Sequence, residues 1–313
     1  MHSLIAGLST AVALPQFSPA VFWPYFNGVV VLLLGLFATR EEVSQARGLD
    51  KVVAFGRLCY AVPIAVFSGE HFASAHDIMQ MVPTYMPSRL FWAYFVGVCL
   101  IAASLSIALN IQVRWSGILL GVMFTLFVLM LDIPGAMGNP KDRFAWTLAV
   151  RELTFASGAF ALAATAMRDS RVRGSDVLVT FARTVISLTA IFYGVEHFLH
   201  PANVPVVPLA MLMPEWIPAH AVIAYVTGAA LVAAGAIMLV QRKNARMAAT
   251  YLGTLILLLV LLVYLPILIA SLSADGVGEK IQGLNYFADT LFFGGAVLAL
   301  ANALPKDGNN PQP

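Results

Sequence analysis

Six ionisable residues in this very apolar chain are placed where they could move a proton. Glu70-His71 and Glu196-His197 each stand at the end of an apolar run, in "SGEHF" and "GVEHFLHP". Glu152 and Asp289 each fall about two turns inside a later apolar run. An ionisable group at that depth is costly and usually faces a cavity or a partner. A carboxylate beside an imidazole orients the ring, and the pair can then exchange a proton with a carbonyl ligand. The expected arrangement is Glu70, His71 and Glu152 in one cluster, mirrored by Glu196, His197 and Asp289 in another. The bland alternative is structural: Glu and His satisfy helix-end carbonyls, and each deeper acid bonds a neighbouring helix or the adjacent Arg151. His200 follows His197 by three residues and could share its helix face. Its counterpart in the first motif is Ser74, so no ligand pair is repeated and no metal site is expected.

The elements that must hold these residues are membrane helices. Of the 313 residues, 60% are hydrophobic and 11% charged, and the mean hydropathy is +0.83. Globular proteins carry about 25% charged residues, so a soluble fold is excluded. The apolar runs approach the ~20 residues that cross a bilayer as helix and lack the alternation of a barrel strand. The chain is read as all-α and polytopic, with about nine spans near 21–39, 52–69, 91–109, 115–134, 145–167, 177–195, 220–240, 249–270 and 284–304. Cys59 and Cys99 lie inside such runs and read as buried thiols. The N-terminal "MHSLIAGLSTAVALPQ" has no basic residue before its apolar part and does not read as a signal peptide. The net charge of +2 is spread over loops and gives no reason to expect nucleic acid. Thirteen of the 18 basic residues, Arg171 among them, fall on one side of the spans. The positive-inside bias then places the C-terminus in the cytoplasm, the N-terminus outside and both Glu-His-Phe motifs on the outer half.

The chain also repeats itself. "FGRLCYAVPIAVFSGEHF" (55–72) aligns with "FARTVISLTAIFYGVEHF" (181–198) at an offset of 126. "PTYMPSRLFWAYFVG" (83–97) meets "PEWIPAHAVIAYVTG" (214–228) at 131, and "RWSGILLGVMFTLFVLMLDIP" (114–134) meets "RMAATYLGTLILLLVLLVYLP" (246–266) at 132. Glu152 and Gly158 meet Asp289 and Gly295 at 137. An even number of spans per unit makes the repeats parallel, related by an axis along the membrane normal. The expected organisation is an N-terminal helix and cytoplasmic loop (1–50), two four-helix units (51–175 and 176–304) packed as adjacent bundles, and a short tail (305–313). Between the first two spans of each unit run Pro-rich aromatic loops. One holds Pro83, Tyr85 and Pro87. The other holds Pro205, Pro208, Pro214, Trp216 and Pro218. They read as an interfacial belt or as caps over a pocket.

These features resemble the DoxX/DoxD family of small bacterial four-helix membrane proteins. The likeness rests on the Arg, apolar helix and terminal "HF" of both repeats, the downstream "YFVG" and "YVTG", and the Gly-rich last helices "FASGAFALAA" and "FFGGAVLALA". It covers both repeats and not the first span. It implies a location in the bacterial cytoplasmic membrane and a role as a redox-associated subunit, with a redox partner subunit beside the lipid bilayer. A quinone or another apolar ligand bound near the outer face is then the expectation, and haem is not. Glu70, His71, Glu152, Glu196, His197 and Asp289 would carry the proton chemistry, with His200, Trp216, Tyr94 and Tyr225 lining the ligand. A proton-coupled small-molecule transporter and a scaffold without catalysis of its own are the other expectations.

Overall fold

A computed structural model describes residues 18–170, 172–207 and 210–306. The N-terminal segment, Arg171, Pro208 and most of the expected tail lie outside the described residues. The described residues hold twelve α-helices and no strand. Helix α1 (Pro19–Gln45) precedes α2 (Asp50–Ala73), the short α3 (Ala75–Ile78) and α4 (Arg89–Ala108). Next come α5 (Val113–Phe127), a π-helical turn (Val128–Asp132) and α6 (Ile133–Gly138), in one continuous rod, then α7 (Arg143–Asp169). The second half follows the same order apart from the short α3: α8 (Ser175–Leu199), α9 (His220–Val240), α10 (Ala245–Leu259), a π turn (Val260–Tyr264), α11 (Leu265–Leu272) and α12 (Val277–Ala303). Each π turn stands just before a proline, Pro134 or Pro266. Proline offers no N–H to the preceding turn, and the helix accommodates it by widening there. The two turns are 132 residues apart, the sequence offset of this segment (260 − 128).

Eight of these rods are long and apolar enough to cross a membrane: α1, α2, α4, α5–α6, α8, α9, α10–α11 and α12. The ninth expected window is α7. It has 27 residues, about 40 Å of helix, but Arg151, Glu152 and Arg168 make it too polar to count with the others. Its setting explains this, because α7 packs among α5, α8 and α12 rather than against lipid alone.

The expectation of two bundles side by side is corrected. The eight principal helices close a ring in the order α2, α4, α5, α7, α8, α9, α10, α12 and back to α2, and α7 also touches α12 across it. The last helix of each half therefore packs on the first helix of the other half. Small residues permit these crossings, as is common where backbones meet in membranes. At Gly69 a Cβ would lie 2.6 Å from the Pro24 backbone, which seats α1 on α2. Where α7 and α12 cross, Phe155 stacks on Phe292 at 3.9 Å and 19°. These two phenylalanines are themselves 137 apart, so the crossing joins equivalent positions of the two halves. Tyr60 of α2 completes the centre, packing edge-on to Phe292 and donating to the Phe155 carbonyl at 2.5 Å. Helix directions place Glu70, the starts of α7 and α12 and the segments 200–207 and 210–219 at one end of the ring, with Arg57 at the other.

Candidate functional site

The Glu-His-Phe repeats are built into helix packing. His71 shares a hydrogen bond with the Phe67 carbonyl of its own helix, Nδ1 to O 2.8 Å. Its Cβ lies against Gly97 of α4, and His197 lies against Gly228 of α9 in the same way. Phe72 stacks on Tyr94 with centroids 6.4 Å apart, and Phe198 stacks on Tyr225 at 6.0 Å. Tyr94 and Tyr225, expected to line a ligand, thus brace the motif's own phenylalanines. His197 Nε2 accepts from the Val206 backbone N–H at 2.7 Å, so it anchors the 200–219 loop.

The acids part company. Glu196 binds Arg143 of α7 at 2.9 Å, with His200 3.9 Å away. Trp216 is exposed. Glu70, the counterpart of Glu196, turns instead toward Asn285 and Asp289 on α12. The expected mirrored clusters therefore do not form. Each first-helix acid meets the last helix of the opposite half because the halves interleave.

What forms is one buried cluster at the α7–α12 crossing. Arg151 donates through one Nη to Asp289 at 2.7 Å and through the other to Glu152 at 2.9 Å. Glu152 and Asp289 are equivalent residues of the two halves, so a single guanidinium bridges them. Its counterpart in the second half is Ala288. Asp132, at the end of the first π turn, lies near Glu152 and Arg151 on one side. Glu70 lies near Asp289 and Arg151 on the other. Tyr193 and Tyr264, both fully buried, stand close by. Six polar atoms here have no protein partner: Glu70 Oε1, Asp132 Oδ2, Arg151 Nε, Glu152 Oε2, Asn285 Oδ1 and Asp289 Oδ1. Only three other such buried atoms occur among the described residues. Buried polar groups are ordinarily satisfied, so this concentration marks the site. The described residues hold no group of His, Cys, Asp or Glu arranged for a metal ion.

Two cavities flank the cluster. One of about 500 Å³ opens at the Glu70 end, between the 81–85 loop, the first π turn, α6 and α7, with Asp132 in its wall. The other, about 280 Å³, lies at the Arg57 end and is lined by polar groups including Glu42, Arg57, Asn110 and Asp169. Along α7 the first cavity touches Leu148 and the second Leu162. About 21 Å of helix separates them, and the Phe155–Phe292 stack lies between.

Asp132 escaped the sequence reading as a member of the site, and Arg151 entered it only as a structural partner of the adjacent Glu152. Their signal was present, since both are charged and fall within apolar windows, but only the packing shows that Arg151 meets Asp289 and that Asp132 lies near Arg151 and Glu152. Compared with family models, with curated proteins and with solved structures, the chain matches none.

The His197 anchor can be tested directly. His197→Ala leaves the buried Val206 N–H without its acceptor, at a cost of about 1–3 kcal/mol. Hydrogen–deuterium exchange in residues 203–207 should rise several-fold, while His71→Ala leaves that loop unaffected. Equal exchange in both variants would show that the anchor does not hold the loop.

Proposed function

We propose that the protein is a proton-exchanging membrane protein. In this reading Asp132, Glu152, Arg151, Asp289 and Glu70 form a chain that holds protons and passes them to and from an apolar small molecule in the cavity at the Glu70 end. The observation that carries it is the cluster's imbalance: four carboxyl groups and one guanidinium, with six polar atoms lacking protein partners. Like charges this close inside a membrane cannot all persist. A neutral cluster needs three added positive charges, which bound protons can supply. The cavity supports the second half of the reading, since its wall is largely apolar and its one carboxylate, Asp132, belongs to the chain. His71 and His197 leave the expected relay, because their rings are committed to backbone groups.

The DoxX/DoxD resemblance extends this to a quinone as the small molecule. It also implies a redox-associated role in a bacterial inner membrane, with a partner subunit and the Glu70 end outward. A proton-coupled carrier is the second reading, favoured by the polar cavity at the opposite end. Substrate uptake by proteoliposomes that depends on a proton gradient would select it.

The test of the proton chain is infrared difference spectroscopy of the purified protein between acidic and alkaline buffer. A buried carboxylic-acid band should titrate, and it should diminish in Glu70→Gln and again in Asp289→Asn. The same band in wild type and both variants would sink the proposal.

A further inference from the structure

The second half carries its own answer to what fills the cavity of the first. At an offset of 132, Asp132 corresponds to Tyr264, and at 137 Leu148 corresponds to Asn285. The place equivalent to the cavity thus lies between the second π turn, α11 and α12. It is occupied by the protein itself. Asn203–Val207 are five consecutive buried residues, and Val204, Val206 and Val207 belong to the main hydrophobic core of the molecule. The Tyr264 hydroxyl donates to the Pro205 carbonyl. Tyr286 accepts from the N–H groups of Ala210 and Met211, at 3.0 and 2.7 Å, and so holds the far side of the loop.

This filling is a feature of the second half alone. The sequence offset rises from 126 to 131 across this loop, so the second loop is five residues longer than the first (131 − 126). The insertion is held under strain. Val206 has φ +74°, a conformation costly for a β-branched residue, and the His197 hydrogen bond keeps it there. In the first half the shorter loop leaves about 500 Å³ open, and Asp132 Oδ2 has no partner.

We infer that the 203–207 segment is a built-in substitute for the ligand. The chain therefore binds one ligand, in the first half, and that ligand is an apolar carbonyl compound whose oxygen accepts a hydrogen bond from Asp132. The plug defines the chemistry by its own parts: a compact aliphatic body and one carbonyl oxygen, presented to the residue at the Asp132 position. A carboxylic acid donates one O–H, as the Tyr264 hydroxyl does. This inference rests on the reading of the Glu70-end cavity as a ligand pocket and names the class of its occupant.

Equilibrium dialysis of the detergent-solubilised protein tests it with two probes of the same shape, duroquinone and durene, which differ in the carbonyl oxygens. One duroquinone should bind per chain, about tenfold tighter than durene, the factor that one good hydrogen bond supplies. Asp132→Leu should abolish the preference. Asp132→Asn, whose amide still donates, should keep it. Should Asp132→Leu fail to fold, Gly135→Phe serves instead. A side chain at Gly135 meets nothing within 4 Å, so Phe can enter the cavity and should displace duroquinone. Equal affinity for both probes, two equivalent sites per chain, or full binding by Asp132→Leu and Gly135→Phe would each overturn the inference. Failure here with a titrating carboxylic-acid band leaves the proton chain standing. Carbonyl selectivity with a carboxylic-acid band that does not titrate overturns the proton chain alone.

Discussion

Arg151→Met should destabilise the detergent-solubilised protein by about 3–5 kcal/mol, the usual cost of removing one partner from a buried ion pair. The Arg151 side chain is 19% exposed and that of Asp289 4%. Without the guanidinium, Glu152 and Asp289 keep their mutual proximity and lose the one group that reconciles them. Arg151→Lys should recover only part of the loss, because an ammonium cannot present two divergent N–H groups to two carboxylates. Combining Arg151→Met with Glu152→Gln and Asp289→Asn should restore most of it, since uncharged amides remove the repulsion. Thermal unfolding followed by circular dichroism reads all three variants beside wild type. If Arg151→Met melts with wild type, the bridge between the two halves contributes little and the cluster is neutralised some other way.

Gly295→Ala is expected to be damaging for a different reason. A Cβ there would stand 2.5 Å from the Tyr60 backbone N and 2.7 Å from the Cys59 carbonyl carbon. Neither is a side-chain end that can swing aside, so α2 must move off α12. Inserting a methyl group into a filled core costs about 1–3 kcal/mol. Here it also displaces Tyr60, which packs on Phe292 and bonds α7. Alanine's better helix propensity returns only about 1 kcal/mol. The expected result is a large loss of monodisperse protein on size exclusion. Gly135→Ala is the matched comparison and should behave as wild type. Equal yields from the two variants would mean that the α2–α12 contact is looser than the backbone distances imply.

Much of this arrangement was legible in the chain, and the reason differs by level. The spans follow from composition, because twenty apolar residues have few other ways to satisfy a backbone in lipid. The doubling of the chain is visible in aligned residues, and the order of helices and π turns runs in the same register through both halves. The polar α7 was harder to place. Its sequence reads as a span with Glu152 two turns inside it, and enclosure by α5, α8 and α12 is what lets that span carry Arg151 and Glu152.

The choice of partners was not legible. Glu70 and Glu196 stand in matching motifs, yet one faces Asp289 and the other pairs with Arg143. The repeated Glu-His-Phe raised an expectation of chemistry, but its His and Phe hold helices together through Gly97, Gly228, Tyr94 and Tyr225. Sequence by itself determined that this is a helical membrane protein, doubled, with ionisable groups at membrane depth. Those properties depend on each residue's own transfer energy and on periodicity along one chain. Only the tertiary structure decided that α7 and α12 exchange between the halves, that one arginine serves both buried acids, and that a five-residue plug closes the second pocket while the first stays open. Those outcomes depend on which helix faces which, and packing between distant segments sets that through close backbone approaches that no local pattern encodes.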